Sequence, residues 1–573
     1  MASLNIWYLH DQARLLAEEA ALAQLSTQVS WLTIGAFRFD NLGRLVVDCD
    51  IDIGHRVHEA CLRYPALFPL SPPTIYPRDG TSRWSAHQYG AGGDLCLEYR
   101  ADNWSPEITG AQMVESAYHL LHGENPNAQD RVRVLSAHQT TFGQRFRGTY
   151  LRLVLTRWSQ AQLAALVPDA MATAHYHYVS TSHDNMTFVL NKITVGTNDP
   201  AIDPSVPLES LDGYSERPAI IRCLDATETL PSVESREAFL DDLDALGLPH
   251  EEGLFVFVRG DSIHAARLFD TVLCNVAVVP APARHDRSGA DHAALGQKKV
   301  AIIGCGSLGS KVATTLARSG CGLFVLVDDD LLLPDNLVRH DLDWRDVGMH
   351  KADALARRLK LVSPFVDVNT RIVQLGGQVS ATTAEGLLTV LARCDLIVNA
   401  TANPEVGSIL SSVPQRTGVP VVWGEVFSGG VGGLIARTRK DREPSIVLMR
   451  RAIENWFATY HPTHRDEDRP AEPYADQGEN PVIADDGDVS FIASALARLG
   501  LDTLLNRDPS AFPHSAYVIG MAADDLFSGT FDTRPIELPP PPLEPEYAAL
   551  SPDQGREAVT FIMEIISNSA STL

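Results

Sequence analysis

The sequence predicts a multidomain chain joining α+β and α/β units, and three observations lead there. Between Lys298 and His340 an apolar strand, three glycines, a helix and a second strand follow one another, the order of a parallel α/β unit. The first 150 residues run helix, strands, a proline-rich stretch and a second helix, an α+β order. At 573 residues, 45% of them apolar, the chain can bury roughly three or four cores. The pattern divides it into residues 1–150, a connecting domain over 151–290, an α/β domain over 291–535, and a proline-rich spacer with a C-terminal helix over 536–573.

Charge and cysteines narrow the function. A formal net charge of −25 opposes binding to phosphate backbones, so no nucleic-acid partner is expected. No apolar run reaches the roughly 18 residues of a membrane span, and the opening residues carry no charged-then-apolar leader; a cytoplasmic protein without membrane contact is expected. The eight cysteines include no C-x-x-C pair, which disfavours disulfides and zinc ribbons and fits a reducing compartment. All eight lie at or before Cys394.

Ala13, Leu16, Ala20 and Ala23 recur at three- or four-residue steps and predict an opening helix. Strands are expected near Ser30–Phe39 and Arg44–Ile53. From Tyr64 to Pro77 the text YPALFPLSPPTIYP holds five prolines, which suit neither a helix nor a central strand and predict a rigid extended wall. WSAHQYGAGGDLCLEY follows (Trp84–Tyr99), then a turn into an amphipathic helix from about Thr109 to Leu121. Tyr64-Pro65, Pro72-Pro73, His87, Gly93, Cys96-Leu97, Trp104-Ser105-Pro106 and Leu120-Leu121 appear in this order and spacing. With them the region resembles a ubiquitin-conjugating domain. The resemblance implies that Cys96 carries a thioester to the C-terminus of a ubiquitin-like protein. That role needs an accessible thiol on a rigid loop and an attacking amine. Without the motif around it, a free cysteine reads as a small buried hydrophobe. The family's His-Pro-Asn turn reads His87-Gln88-Tyr89 here, so the asparagine that steadies the oxyanion is missing. Such a donor is worth roughly 3 kcal/mol; another group must substitute, or the chemistry differs. His87 is expected to be structural.

The connecting domain carries fewer signals. A helix is expected over Val154–Leu166, strands in HYHYVS and MTFVLNKITV, an acidic helix face at Asp241, Asp242 and Asp244, a strand over Leu254–Val258 and a linker from Ala281 to Leu295. His175 and His177 share one strand face with His183 nearby, but no third ligand of known geometry accompanies them, so a partly exposed face is the expectation. The region reads as α/β or β-rich.

In the α/β domain, Val300–Ile303 runs into Gly304, Gly306 and Gly309, a helix follows over about Ser310–Ser319, and the strand Leu323–Val327 ends on Asp328, Asp329 and Asp330. The glycines serve a tight turn, close approach of backbone to phosphate, and close helix–strand packing. Free N–H groups at the helix start attract phosphate. A nucleotide site is predicted, but a dehydrogenase also places an acid at the end of this second strand. Asn336, Arg339 and Lys351 move the balance toward ATP. Activating a carboxylate with ATP sets anion against anion and calls for cations at the phosphates, which hydride transfer does not. Asp328, Asp330, Asn336, Arg339 and Lys351 together resemble the ThiF, MoeB and ubiquitin-activating adenylation family, with its Rossmann-like fold. The resemblance implies that Asp328 holds the ribose, that Asn336, Arg339 and Lys351 surround the triphosphate, and that ATP and Mg2+ are required.

The family's next landmark is a strand ending in Asp-x-x-Asp-Asn, whose last Asp aids magnesium. Here it reads CDLIVNATANPEV: Asn399 and Ala402 stand at the two Asp places, and Asn403 is kept as a nucleotide contact. Magnesium is still expected to offset triphosphate charge, held by Asp328 or Asp330, with Asp395 a further candidate that is otherwise solvated. The glycines between Val419 and Ala436 leave two readings open, a passage for an extended protein tail or a turn needing positive φ. Arg284 or Arg287 can supply the arginine that family members place before the first strand, often from the other subunit of a dimer; a homodimer through this domain is the family expectation.

An activating enzyme that loads a conjugating cysteine normally has its own cysteine beyond this hairpin. The stretch from His461 to Leu499 has none; it reads as a polar, mobile loop that turns helical from about Val489. Either Cys96 attacks the adenylate directly or a cysteine has been replaced, with Ala484 the position for it. The chain closes on RPIELPPPPLEPEY, a stiff polyproline spacer, and a helix from about Gly555 to Ile566.

A conjugating-like domain ahead of an adenylation domain resembles the bacterial activating–conjugating fusion proteins of antiphage operons built around cGAS-like nucleotidyltransferases. It implies ATP-dependent adenylation of the C-terminus of a ubiquitin-like or target protein, transfer to Cys96 as a thioester, and ligation to an acceptor protein. Two alternatives stay open. One is a scaffold that binds a partner tail and nucleotide without turnover, as the missing acids, the altered turn and the absent second cysteine suggest. The other is an NAD-dependent Rossmann enzyme, which leaves the N-terminal motifs unexplained.

Overall fold

The computed structural model describes residues 6–125, 132, 134, 143, 146, 150–182, 185–207, 216–281, 289, 291–377, 379–460, 483–541 and 551–570, the side chains of 180–182, 428 and 566–570 excepted. The chain divides into two units, Met1–Gly148 and Thr149–Leu573.

In the first unit, β1 (Leu32–Phe39), β2 (Leu45–Asp52), β3 (Val57–Arg63) and β4 (Thr74–Pro77) pair antiparallel in sequence order. The helices Gln12–Gln28 and Gly110–Glu124 pack with this sheet and with each other. Thr109 and Gln112 close a capping box at the second helix. Its first N–H is buried and meets Glu18, whose Oε2 accepts from Gly110 N at 2.6 Å and from the Tyr64 hydroxyl at 2.8 Å. Glu18 is fully buried, and Arg14 at 2.8 Å balances its charge. The proline stretch is extended only in its second half. Residues 66–70 form a turn, and Pro77 then ends the edge strand β4, where a missing N–H breaks no interior ladder.

The second unit opens with β5 (Leu151–Val154), β6 (Met171–Ser182), β7 (Asn185–Val195), β8 (Ala201–Ile202), β9 (Arg217–Cys223), β10 (Gly253–Arg259), β11 (Ser262–Leu268) and β12 (Leu273–Val279). Their order is β5-β12-β11-β10-β9-β6-β7-β8, and β5 also pairs with β7, so the sheet closes on itself. The closed sheet encloses a core that includes Leu153, Tyr176, Phe188, Ile221, Leu254 and Val256, all buried. His175 and His177 lie half-buried on β6. His183 lies outside the described residues, and among those described no three His, Cys, Asp or Glu side chains group as a metal site.

A second sheet follows: β13 (Lys299–Ile303), β14 (Leu323–Val327), β15 (Asp367–Arg371), β16 (Leu396–Asn399), β17 (Val421–Phe427), β18 (Gly432–Thr438), β19 (Ala516–Gly520) and β20 (Thr533–Pro535), in the order β15-β14-β13-β16-β17-β18-β19-β20. From β15 to β17 neighbours are parallel; beyond β17 they are antiparallel. The inner strands β14, β13 and β16 read as nearly unbroken apolar runs because both faces are covered, whereas the edge strand β15 is polar and partly exposed. Val300 and Ile302 face a core shared with the helices Ser307–Ser319, Lys351–Val362 and Asp486–Leu504. Ala301 and Ile303 face one shared with Ala381–Leu391, Pro404–Leu410 and Ile446–Tyr460. Beneath the antiparallel half, Arg437 and Asp502 pair at 2.7 Å, each 2% exposed. Chain order runs outward in both directions from β13, which makes its C-terminal end the switch point where α/β sheets bind ligands. Among the described residues no helix is long and apolar enough to cross a membrane.

Candidate nucleotide site and thioester cysteine

The switch point is built by the glycines. Gly304 turns the chain off β13 at a φ of 87°, where a side chain is strained. A Cβ at Gly309 would stand 1.8 Å from the Gly304 carbonyl oxygen, so only glycine lets the helix start this close to the strand. The helix begins at Ser307, three residues before the spacing suggests. Gly306 is its N-cap and makes no side-chain cap bond, and nothing lies within 4 Å of a Cβ placed there. This is an uncapped, open helix start of the kind that receives phosphate.

Asp328 ties the loop to the end of β14. Its Oδ2 accepts from Cys305 N at 2.6 Å and its Oδ1 from Asp330 N at 2.9 Å. Burial pushes this carboxyl above the usual range, against the pull of the two N–H bonds and of Lys351. Lys351 heads the next helix with its side chain 11% exposed, and its Nζ meets the 66% exposed Asp330 carboxylate at 2.8 Å. The backbone joins them too, Lys351 N donating to Asp330 O at 2.9 Å. Between them, Asn336 closes the turn Pro334–Val338 by accepting from Leu333 N at 2.9 Å, and the half-buried Arg339 ends that turn.

His340 was assigned no role by sequence reasoning, yet it grips the glycine loop. It is 8% exposed, its Nε2 lies 2.8 Å from the Cys305 carbonyl, and its Nδ1 accepts from Leu342 N at 3.2 Å. Those partners require a neutral ring protonated on Nε2. Burial pushes its pKa down to about 4. No local pattern marks this residue; only the fold brings it to Cys305.

The segment Asn399–Asn403 packs behind the loop, with Thr401 Cγ2 at 2.9 Å from where a Gly304 Cβ would be. Asn399 is buried and accepts from the Thr401 hydroxyl at 2.8 Å. Ala402 holds a φ of 53°, uncommon for a residue with a side chain. Asn403 caps the helix Pro404–Leu410, its Oδ1 accepting from Glu405 N at 2.8 Å. Asp395 takes Lys298 Nζ at 3.1 Å and Lys299 N at 2.8 Å. That places it at the opposite end of the strands, a five-residue strand or about 15 Å away, and removes it from the magnesium candidates. Arg284 and Arg287 lie outside the described residues.

The glycine cluster after β17 resolves as a turn. Gly429 and Gly430 hold φ of 66° and 101°. A Cβ at Gly432 or Gly433 would strike Phe427 and Phe527, or Ile492, at 2.6 Å or less, so the chain's own side chains occupy that space. Ala484 is half-buried against the core under the glycine-loop helix, and two residues later Asp486 pairs with Lys311 of that helix at 2.7 Å. Residues 461–482 lie outside the described residues.

Within the first unit, Cys96 and Cys274 of the second are half-buried; the other six cysteines are buried. The Cys96 loop is held by a Gln88–Leu95 bridge, with Cys96 N donating to His87 O at 2.7 Å. Gln88, in the proline place of the family turn, is 6% exposed. Its amide accepts from Trp84 N at 2.8 Å and donates to Ser82 O and Gly93 O, both at 3.0 Å. His87 bonds within the fold, its Nε2 2.8 Å from Val134 O and its N donating to Ser85 Oγ at 2.8 Å.

The ThiF family model matches residues 285–446. This is a ThiF-family domain. The chain is 33% identical over 153 residues to "Uncharacterized protein y4oA" of Sinorhizobium fredii, covering 25% of this chain and 26% of that protein. It is 34% identical over 125 residues to "ATP-dependent ubiquitin transferase-like protein Cap2" of Escherichia coli, 21% and 20% of the two chains. It is 34% identical over 137 residues to "Sulfur carrier protein ThiS adenylyltransferase" of Bacillus subtilis, 22% and 39%. The chain thus spans between 20% and 39% of the length of these relatives. The solved E. coli MccB with ATP aligns at a TM-score of 0.34 and 16% identity, covering 44% of this chain and 67% of that one, too distant to bear on function. In the ThiF domain hydrogen bonds join Cys305 to Asp328, Asp328 to Asp330 and Asp330 to Lys351, Gly309 packs on Gly304, Gly306 caps the helix beside them, and Asn336, Arg339 and Asn403 lie on neighbouring segments.

Proposed function

We propose that the ThiF domain uses ATP to adenylate the C-terminal carboxylate of a ubiquitin-like or target protein. Cys96 then takes the acyl group as a thioester and passes it to an amine of an acceptor protein. The observation that carries the reading is the Asp330–Lys351 pair fastened to an open glycine loop at the switch point of the sheet. In this account the attacking carboxylate oxygen displaces pyrophosphate from the α-phosphorus. Lys351 and Arg339 offset the charge that accumulates there, and the loop N–H groups after Gly306 hold a phosphate. Asp328 takes the ribose with the lone pairs its two backbone bonds leave free. Asn336 and Asn403, their side-chain oxygens already engaged, offer amide N–H groups. The Asp330 carboxylate is exposed enough to take hydrated magnesium beside Lys351; the ion supplies charge neutralisation on the triphosphate. The names of the E. coli and B. subtilis relatives, an ATP-dependent ubiquitin transferase-like protein and a sulfur carrier protein adenylyltransferase, support this chemistry. A homodimer, a cytoplasmic location and a part in defence against phage belong to the same proposal.

A scaffold that binds nucleotide and a protein tail without turnover is the second reading. It is favoured by Asn399 and Ala402 where the family has acids, and by the capping bond that engages Asn403. Purified chain, ATP, magnesium and the products of neighbouring genes, run on a non-reducing gel, separate the two. A thiol-sensitive adduct that Cys96→Ala removes supports conjugation. Neither adduct nor ATP–pyrophosphate exchange favours the scaffold.

A further inference from the structure

We propose that Tyr89 is a catalytic hydrogen-bond donor to the sulfur of Cys96, stabilising it as it leaves when an amine discharges the acyl group. This rests on the reading of Cys96 as the acyl carrier. The placement comes from the loop. Gln88 and Leu95 form an antiparallel bridge flanked by the bonds Tyr89 N to Asp94 O at 2.9 Å and Cys96 N to His87 O at 2.7 Å. Gln88 and Leu95 turn inward and are buried, so alternation puts Tyr89 and Cys96 on the opposite face as diagonal neighbours, within reach of an aromatic side chain. The backbone is fixed there: a Cβ at Gly93 would stand 1.9 Å from Tyr89 O, and one at Gly92 1.8 Å from Gly80 O. The Cys96 thiol near the phenol pushes the Tyr89 pKa up, and the Arg100 guanidinium opposes it.

Neighbouring donors are engaged elsewhere. Asn103 donates to Glu98 O at 2.8 Å and accepts from Arg100 N at 2.7 Å, and the His87 ring meets Val134 O. Tyr89 itself is 57% exposed, on a face an amine can approach. In the step, the amine nitrogen attacks the thioester carbonyl, the C–N bond forms, the C–S bond breaks, and the electron pair leaves with Sγ. The ammonium proton passes to solvent and the thiolate is reprotonated from water. The Tyr89 O–H donates to Sγ as its charge grows, and the positive charge of Arg100, whose guanidinium also meets Asp102 at 3.5 Å, makes that O–H a better donor.

The test uses the full chain with Cys274→Ser, which leaves Cys96 as the accessible cysteine among the described residues. A peptide mercaptoethanesulfonate thioester ending in Gly-Gly is exchanged onto Cys96, and discharge to free lysine is followed by intact mass. Tyr89→Phe, which removes only the hydroxyl, should slow discharge of the loaded thioester about 10- to 100-fold; Arg100→Gln should slow it less. With ring-13C tyrosine, Cys96→Ala should bring the Tyr89 titration down. Discharge of Tyr89→Phe at the wild-type rate, a Tyr89 titration indifferent to Cys96→Ala, or a wild-type Cys96 that refuses the thioester would each overturn the proposal. ATP takes no part in this assay. Loss of pyrophosphate exchange with discharge intact therefore counts against the adenylation reading alone.

Discussion

Acidification should release the glycine loop through His340, and the size of the effect follows from its surroundings. The ring is buried, its Nδ1 accepts Leu342 N–H, and Nε2 donates to the Cys305 carbonyl. Protonating Nδ1 sets one N–H against another and charges a group that burial disfavours, so the pKa falls from 6.5 to about 4. Between those values the unfolded chain binds a proton that the folded chain refuses. Stability is therefore complete above about pH 6.5, falls as the pH drops toward 4, and levels off below. At about 1.4 kcal/mol per pH unit the loss is about 3 kcal/mol. His340→Gln keeps a donor and an acceptor but does not titrate, so binding of a fluorescent ATP analogue should weaken from pH 7 to 4.5 far more in the wild type than in the variant. His58 in the first unit must be silenced in melting experiments. It is 2% exposed, without a partner for either ring nitrogen among the described residues, and burial lowers its pKa to about 4 as well. His58→Phe serves that purpose. A His340 imidazole 15N titration with its midpoint near 6.5, or equal acid sensitivity in His340→Gln, would refute the argument.

Three further substitutions probe the same frame. Gly309→Ala should destabilise the ThiF domain by about 1–3 kcal/mol in urea titration, because its Cβ lands on the Gly304 carbonyl, whereas Gly306→Ala meets open space and should change stability by less than about 1 kcal/mol. Lys351→Met keeps the buried stem and leaves an exposed Asp330, so stability should shift by less than about 1 kcal/mol while pyrophosphate exchange falls about 10²- to 10³-fold. Asp502→Asn uncovers the buried Arg437 and should cost about 3–5 kcal/mol by urea unfolding, and the double change Arg437→Met with Asp502→Leu should cost much less.

Short-range features were legible in the sequence. The strand Leu323–Val327 falls where its apolar run puts it, and the helix Gly110–Glu124 starts at the capping Thr109. The glycine loop was also legible, because each glycine answers a local demand: a positive φ at Gly304, a close contact at Gly309. The helix start was placed late, since Ser307 and Leu308 look like loop until the helix closes over them. What the sequence hid depends on distant pairing. Nothing in Leu151–Val154 says that it joins Met186–Val189 and closes the sheet. His340 reads as one more histidine until it meets Cys305, and Tyr89 reads as a departure from a motif until the loop sets it beside Cys96.

Conjugation is decided by an ATP-dependent, thiol-sensitive adduct on Cys96, assayed with neighbouring-gene products in wild type, Lys351→Met and Cys96→Ala. The adduct should form in the wild type alone, with pyrophosphate exchange surviving Cys96→Ala and failing in Lys351→Met. An adduct that forms without ATP, or one that persists in Cys96→Ala, would contradict conjugation through Cys96.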